Sequence, residues 1–241
     1  MTAPGLDRAR TTNDGNRIVK LLLTSAGVTN PSIRSALVDL LGKPVEESAA
    51  LCIPTAQYGH PDLTPVSAQR FISGTAELPM CGLGWRSVGV LELTALPSIG
   101  RERWVPWVQE ADVLLVAGDD AAYLNHWVRR SGLADVLPSM RDTVWVGLSA
   151  GSMVLTPRLG AELVHWRSPS GDETLGVVDF SIYPHVNGDG RPGNTTAGAE
   201  RWAADLSNPG YVIDDETAIV VSDGRTEVVS EGRWTFLDAP A

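Results

Sequence analysis

Cysteine is scarce in this chain: 241 residues carry two, Cys52 and Cys81. Two thiols supply neither a disulfide framework nor a zinc ligand set, and they point to a reducing compartment, the cytoplasm. Basic residues are also in the minority, 19 Lys and Arg against 29 Asp and Glu, for a net charge of -10. That balance argues against a nucleic acid or an anionic membrane as the main partner. No apolar run approaches the roughly 18 residues that a membrane-spanning helix needs. The opening stretch, MTAPGLDRARTTNDGNR, is polar and has no hydrophobic segment of a secretory signal. Residues 1–16 therefore read as a disordered leader, and 17–241 as a single domain. Only four histidines are present, so any imidazole chemistry has few candidates.

What is abundant is apolar sequence, 43% of the chain, cut into short runs. IVKLLLTSAG, SAALCIPTA, VGVLELTAL, DVLLVAGDD and TVWVGLS read as strands. PSIRSALVDLLG, TPVSAQRFISGTAEL and AAYLNHWVRRSGL read as helices between them. Near-continuous apolar strands separated by helices predict an α/β fold, three-layered α/β/α, with a mostly parallel sheet covered on both faces. The tail differs. YVIDDETAIVVSDGRTEVVSEGRWTFL has β-rich runs broken by Asp-Gly and Glu-Gly, and Asp223-Gly224 suits a tight hairpin, so the C-terminal end should be antiparallel.

Within the fifth strand run lies WVGLSAGSMVL, residues 145–155, where apolar sequence breaks into Gly-x-Ser-x-Gly around Ser149. Glycines on both sides of one serine suit a sharp strand-to-helix turn that holds a hydroxyl at the carboxyl end of a parallel sheet. The amides that follow sit at a helix start, where developing negative charge is favoured. A capping serine in an ordinary βα turn is the plainer alternative, and a base in reach decides between them. His126 lies inside a helical pattern. His60 lies in a loop after the second strand and could line the same cleft. His165 lies in a strand-like stretch. His185 ends the apolar run LGVVDFSIYPH and is followed by a polar, glycine-rich loop. It stands 36 residues after Ser149 and is the best candidate base.

These residues carry a resemblance. LLLTSAGVTNPSIRSALVDLLGKP with ALCIPTA resembles the start of peptidase E-like proteins, VWVGLSAGSMVL their nucleophile turn, and LGVVDFSIYPH their histidine strand. The likeness runs from about Lys20 to about Phe236. It implies a serine hydrolase on a class I glutamine amidotransferase-like fold, with Ser149 as nucleophile and His185 as base. Serine at the turn, where glutamine amidotransferases use cysteine, argues against an amidotransferase. Characterised members of the family are dipeptidases that remove an N-terminal aspartate, and cyanophycinases are relatives. A small peptide or amide is the implied substrate, N-terminal aspartyl dipeptides among them. The aspartate-recognising text of the family is not evident in TPRLGAELVHWRSPSGDETLG, so that preference is not carried over.

The resemblance also implies an oxyanion hole from the Ala150 and Gly118 amides. Here the family's neutral Gly-Gly-Asn-Thr-like loop is replaced by AGDDAAYL. Asp119 and Asp120 would oppose an oxyanion if they faced it, and would be harmless as helix caps. This departure supports the alternative of a catalytically inactive binding domain on the same fold. The orienting acid is assigned to Glu162, which follows the nucleophile helix about where the family draws its acid. Asp179 is too far back along the histidine strand, and Asp172 and Glu173 fall in a loop at its other end. Asp119, Trp166 and Arg167 are the candidate substrate contacts. The run Asp214-Asp215-Glu216 has no histidine or cysteine nearby and reads as a solvated turn, so no metal and no cofactor is expected. GDGRPG, residues 188–193, could serve as a lid. A monomer or homodimer is expected.

Overall fold

The computed structural model describes residues 20–60, 64–188 and 193–239. The leader, and all but the two ends of the GDGRPG loop, lie outside the described residues. The chain runs β1 (Lys20–Thr24), α1 (Pro31–Leu41), β2 (Ala49–Ile53), α2 (Pro65–Ile72), β3 (Ser87–Val90), α3 (Arg101–Glu110) and β4 (Val113–Val116). There follow α4 (Ala121–Arg130), α5 (Leu133–Val136), β5 (Val144–Leu148), α6 (Ala150–Met153), β6 (Ser181–Tyr183) and α7 (Thr196–Ala204). The tail is β7 (Gly210–Ile213), β8 (Thr217–Ser222), β9 (Arg225–Ser230) and β10 (Trp234–Leu237).

Seven strands form one sheet in the order β3-β2-β4-β5-β1-β8-β9. The first five are parallel, and β8 and β9 close the edge antiparallel. Every residue of β4 and β5 is buried, as a parallel sheet covered on both faces requires. The pleat sorts these residues by parity. Leu114, Val116 and Trp145 pack with Trp104 and Val108 of α3, Leu124 and Val128 of α4 and Met153 of α6. Val113, Leu115, Val144 and Val146 pack on the other face with Ile33, Leu37 and Leu40 of α1 and Phe71 of α2. The three layers follow from that alternation.

The antiparallel tail is also present. β8 turns into β9 at Asp223 and Gly224, both at positive φ (51° and 72°), the geometry that a two-residue hairpin demands. The expected histidine strand is shorter than its apolar text: only Ser181–Tyr183 is strand. It belongs to a separate three-stranded sheet, β10-β7-β6, that packs on α7 through Tyr183, Val212 and Trp202. The stretch around His165 is not a strand. Helix α2 stops at Ile72, before the expected end, and α3 and α7 were not anticipated. Pro106 inside α3 and Gly198 inside α7 mask their helical periodicity.

Candidate active site

The serine turn is built by close packing. A Cβ placed on Gly147 would lie 2.5 Å from the backbone of Gly151 and Ser152. One placed on Gly151 would lie 2.4 Å from the carbonyl oxygen of Val116, at the end of β4. The two glycines thus let α6 start directly against β4 and β5. Between them Ser149 takes φ 48° and ψ -107°, a conformation that L residues avoid. Its N–H donates to Thr24 O at 3.0 Å, and Ser152 Oγ donates to the same oxygen at 2.8 Å. The Trp145 indole N–H holds Gly151 O at 2.8 Å. Contrary to the expectation of an open hydroxyl, Ser149 is only 6% exposed, because β1 and the loop after β4 close over the turn.

Gly151→Ala is expected to lower the unfolding free energy by about 2–3 kcal/mol, since its methyl meets backbone rather than a yielding side chain. Urea denaturation checks this. A loss below about 0.5 kcal/mol would remove close packing as the reason for this glycine.

Thr24 leads to Ser25, and Ser25 organises the histidine. His185 is buried, at φ 58°, two residues beyond β6. Its backbone N–H donates to Ser25 Oγ at 2.7 Å. Ser25 Oγ donates in turn to Asp215 Oδ1 at 2.9 Å, and the same carboxylate oxygen lies 2.6 Å from His185 Nδ1. The turn that carries Asp215 is stapled to the loop after β1: Thr29 Oγ1 donates to Asp215 O at 2.8 Å, and Asn30 Nδ2 to Glu216 O at 2.9 Å. One short segment, Thr24 to Asn30, therefore joins the nucleophile turn to the imidazole and its carboxylate. His185 Nε2 is buried and has no hydrogen-bond partner among the described residues. An imidazole held at Nδ1 by a carboxylate, with Nε2 uncommitted, is set up to accept a proton there.

Gly118 lies against the nucleophile. A Cβ placed on it would be 3.3 Å from Ser149 Cβ and 2.6 Å from Leu148 Cδ2. Its N–H has no backbone acceptor among the described residues. Ala150 is the first residue of α6, so its N–H has no acceptor within the helix. Asp120 is buried and caps α4, accepting the Tyr123 N–H at 2.7 Å, while its other oxygen accepts the Trp166 N–H at 2.8 Å. Asp119 is half-buried, with φ 103°.

The structure brings together Ser149, Ala150 and Gly118 at one point, and ties His185 to the same strand ends through Ser25. Trp166 reaches the loop after β4 through Asp120, and Arg167 is exposed beside it. Glu162 is exposed on a single 3-10 turn, Ala161–Leu163. Burial first, and then the Glu162 charge, raise the Tyr183 phenol. The carboxylate bonded to the imidazole is nevertheless Asp215. Asp172 is engaged by Arg158 at 2.8 and 3.0 Å, and these bonds hold its carboxyl below the usual carboxylate range. Sequence reading missed Ser25 and Asp215. The only signal for the latter was the Asp-Asp-Glu run, read as a solvated turn.

The chain matches the model of peptidase family S51 over residues 21–229. Among solved structures it is similar to a candidate peptidase E protein from Listeria monocytogenes EGD-e, with TM-score 0.63 and 18% identity over 89% of this chain and 100% of that one. It is similar as well to a peptidase from an acI-B1 Actinobacterium, with TM-score 0.62 and 22% identity over 92% of this chain and 91% of that one. No match is found among curated proteins.

Proposed function

Since the chain belongs to peptidase family S51, and is thereby a serine peptidase, we propose that Ser149, His185 and Asp215 are its catalytic triad and that it hydrolyses small peptides. The observation that carries this is the 2.6 Å contact of Asp215 with His185 Nδ1, which leaves Nε2 as the proton acceptor. His185 takes the Ser149 proton as Oγ attacks the substrate carbonyl, and returns it to the leaving amine; water then releases the acyl group. Asp215 fixes the tautomer and stabilises the imidazolium. Ser25 holds that pair in place from β1. The Gly118 and Ala150 amides serve the oxyanion; losing one such donor typically costs roughly 3 kcal/mol in the barrier.

The inactive-domain alternative drew on the AGDD loop. Asp120 there is committed to two backbone amides, which supports an oxyanion site free of that carboxylate. A dipeptidase acting on N-terminal residues fits the small-peptide reading, and the two buried free thiols fit a cytoplasmic setting. Among the described residues no helix is long and apolar enough to cross a membrane.

A fluorophosphonate probe tests the nucleophile. Wild-type protein should be labelled on Ser149, located by peptide mapping. Folded protein that takes no label returns the inactive domain as the better reading.

A further inference from the structure

Helix α4 carries Tyr123, His126 and Trp127 at i, i+3 and i+4, one stripe of its surface. Its core stripe is separate: Leu124 and Val128 are buried against the sheet. Across the outer stripe lies Trp166, whose ring centroid is 5.4 Å from that of Tyr123 and 5.3 Å from that of His126. Trp127 joins them, 6.2 Å from Tyr123 and 5.3 Å from His126. On the far side Gly59 presses on Tyr123, where a Cβ would come within 2.4 Å of Tyr123 Cβ. All four residues are half-buried; Trp127 and Trp166 also pack on the core, while Tyr123 and His126 lie outside it.

The rings are tied to the loop that packs on the nucleophile. The Asp120 carboxylate, two residues past Gly118, accepts the backbone N–H of both Tyr123 and Trp166. Gly118 itself packs on Ser149. The wall is thus anchored by one buried group to the loop that borders the scissile carbonyl.

We propose that Tyr123, His126 and Trp166 form the wall that receives the side chain of the substrate residue contributing that carbonyl, and that they select an aromatic or large apolar side chain. This rests on the hydrolase reading of Ser149. Ring faces and edges offer dispersion and edge-to-face contact to another ring. Such a wall offers an acidic side chain no contact of that kind and takes its charge out of water. Among the described residues, Arg130 stands 5.9 Å from the Trp127 ring centroid and Arg167 is exposed next to Trp166.

The test measures binding without turnover. Ser149→Ala protein is titrated by calorimetry with the dipeptides Phe-Ala, Ala-Ala and Asp-Ala. Phe-Ala should bind about tenfold tighter than either of the others, a gain in the range of one well-placed aromatic contact. Adding Trp166→Ala should erase most of that advantage while leaving Ala-Ala within about twofold, and Trp166→Phe should restore it. Tighter binding of Asp-Ala, or an equal loss for all three peptides on Trp166→Ala, overturns the proposal. Probe labelling of wild-type Ser149 separates the two readings. Labelling without aromatic preference overturns the wall alone. Aromatic preference without labelling overturns the hydrolase reading, and with it the assignment of this wall to a substrate.

Discussion

Ser149→Ala protein is expected to fold as the wild type does and to hydrolyse no peptide. The hydroxyl makes no hydrogen bond to the described residues, while the backbone of residue 149 makes several that alanine keeps: its N–H on Thr24 O, and its carbonyl accepting from Ser152 and Met153 at 2.8 and 3.0 Å. Alanine also keeps the Cβ, and with it the strain of φ 48° and ψ -107°, which is worth about 1–3 kcal/mol. Stability should therefore change by less than about 0.5 kcal/mol. Turnover should fall to background, because the neighbouring Ser152 hydroxyl is buried and committed to Thr24 O and Gly147 O. Ser149→Gly makes a sharper companion. Glycine enters that backbone region freely, so the variant should be equally inactive yet more stable than Ser149→Ala by about 1 kcal/mol, after the larger chain entropy of glycine is subtracted. Urea denaturation and a peptide-hydrolysis assay on the same samples check both points. Residual wild-type turnover in either variant removes Ser149 from the reaction. Equal stability of the two variants removes strain from the account of the turn.

Why that turn could be read from sequence, and the carboxylate that meets the imidazole could not, follows from the distances along the chain that each feature spans. Gly147, Ser149 and Gly151 meet one another and the ends of β4 and β5, so the pattern that builds the turn sits within a few letters. The parallel strands were readable for a similar reason. Burial on both faces leaves continuous apolar text, as in Val113–Val116 and Val144–Leu148. The position of His185 just past a strand was legible because it ends an apolar run before a polar loop, although that strand is short and belongs to the smaller sheet. Asp215 comes 30 residues after His185 and is brought to it by the pairing of β8 with β1 and by bonds from Thr29 and Asn30. Nothing local to Asp214-Asp215-Glu216 encodes that meeting. The acids between Ser149 and His185 stand on other segments, and the carboxylate within bonding distance of the imidazole comes from this later run. Ser25 is invisible for the same reason: a serine at the end of a strand has no local mark of its partners 160 and 190 residues away.

Asp215→Asn is expected to slow turnover by about 10³-fold or more while the protein stays folded. In serine hydrolases of this design, replacing the acid by its amide costs up to about 10⁴ in kcat, because the amide favours the wrong imidazole tautomer. The same argument applies to this geometry. Asp215 Oδ1 receives Nδ1 of His185 at 2.6 Å and the Ser25 hydroxyl at 2.9 Å, so it acts as acceptor toward both. An asparagine that turns its NH₂ toward the ring requires Nδ1 to be unprotonated. The proton then sits on Nε2, and the ring cannot accept the proton of Ser149. An asparagine that turns its oxygen toward the ring keeps the tautomer but loses the negative charge that stabilises the imidazolium. The Asp215 side chain is 37% exposed, so water softens both effects and the lower end of the range is the fitting expectation. Stability should change little, since asparagine preserves the volume and the Asp215 main chain keeps its bond from Thr29. Glu162→Gln provides the control, because Glu162 lies on an exposed turn; it should stay within about threefold of wild type, as surface changes away from the reacting groups usually do. Single-turnover acylation rates for the two variants, measured beside their urea midpoints, decide between the carboxylates. A near-silent Asp215→Asn with a crippled Glu162→Gln would return the acid to the turn after the nucleophile helix.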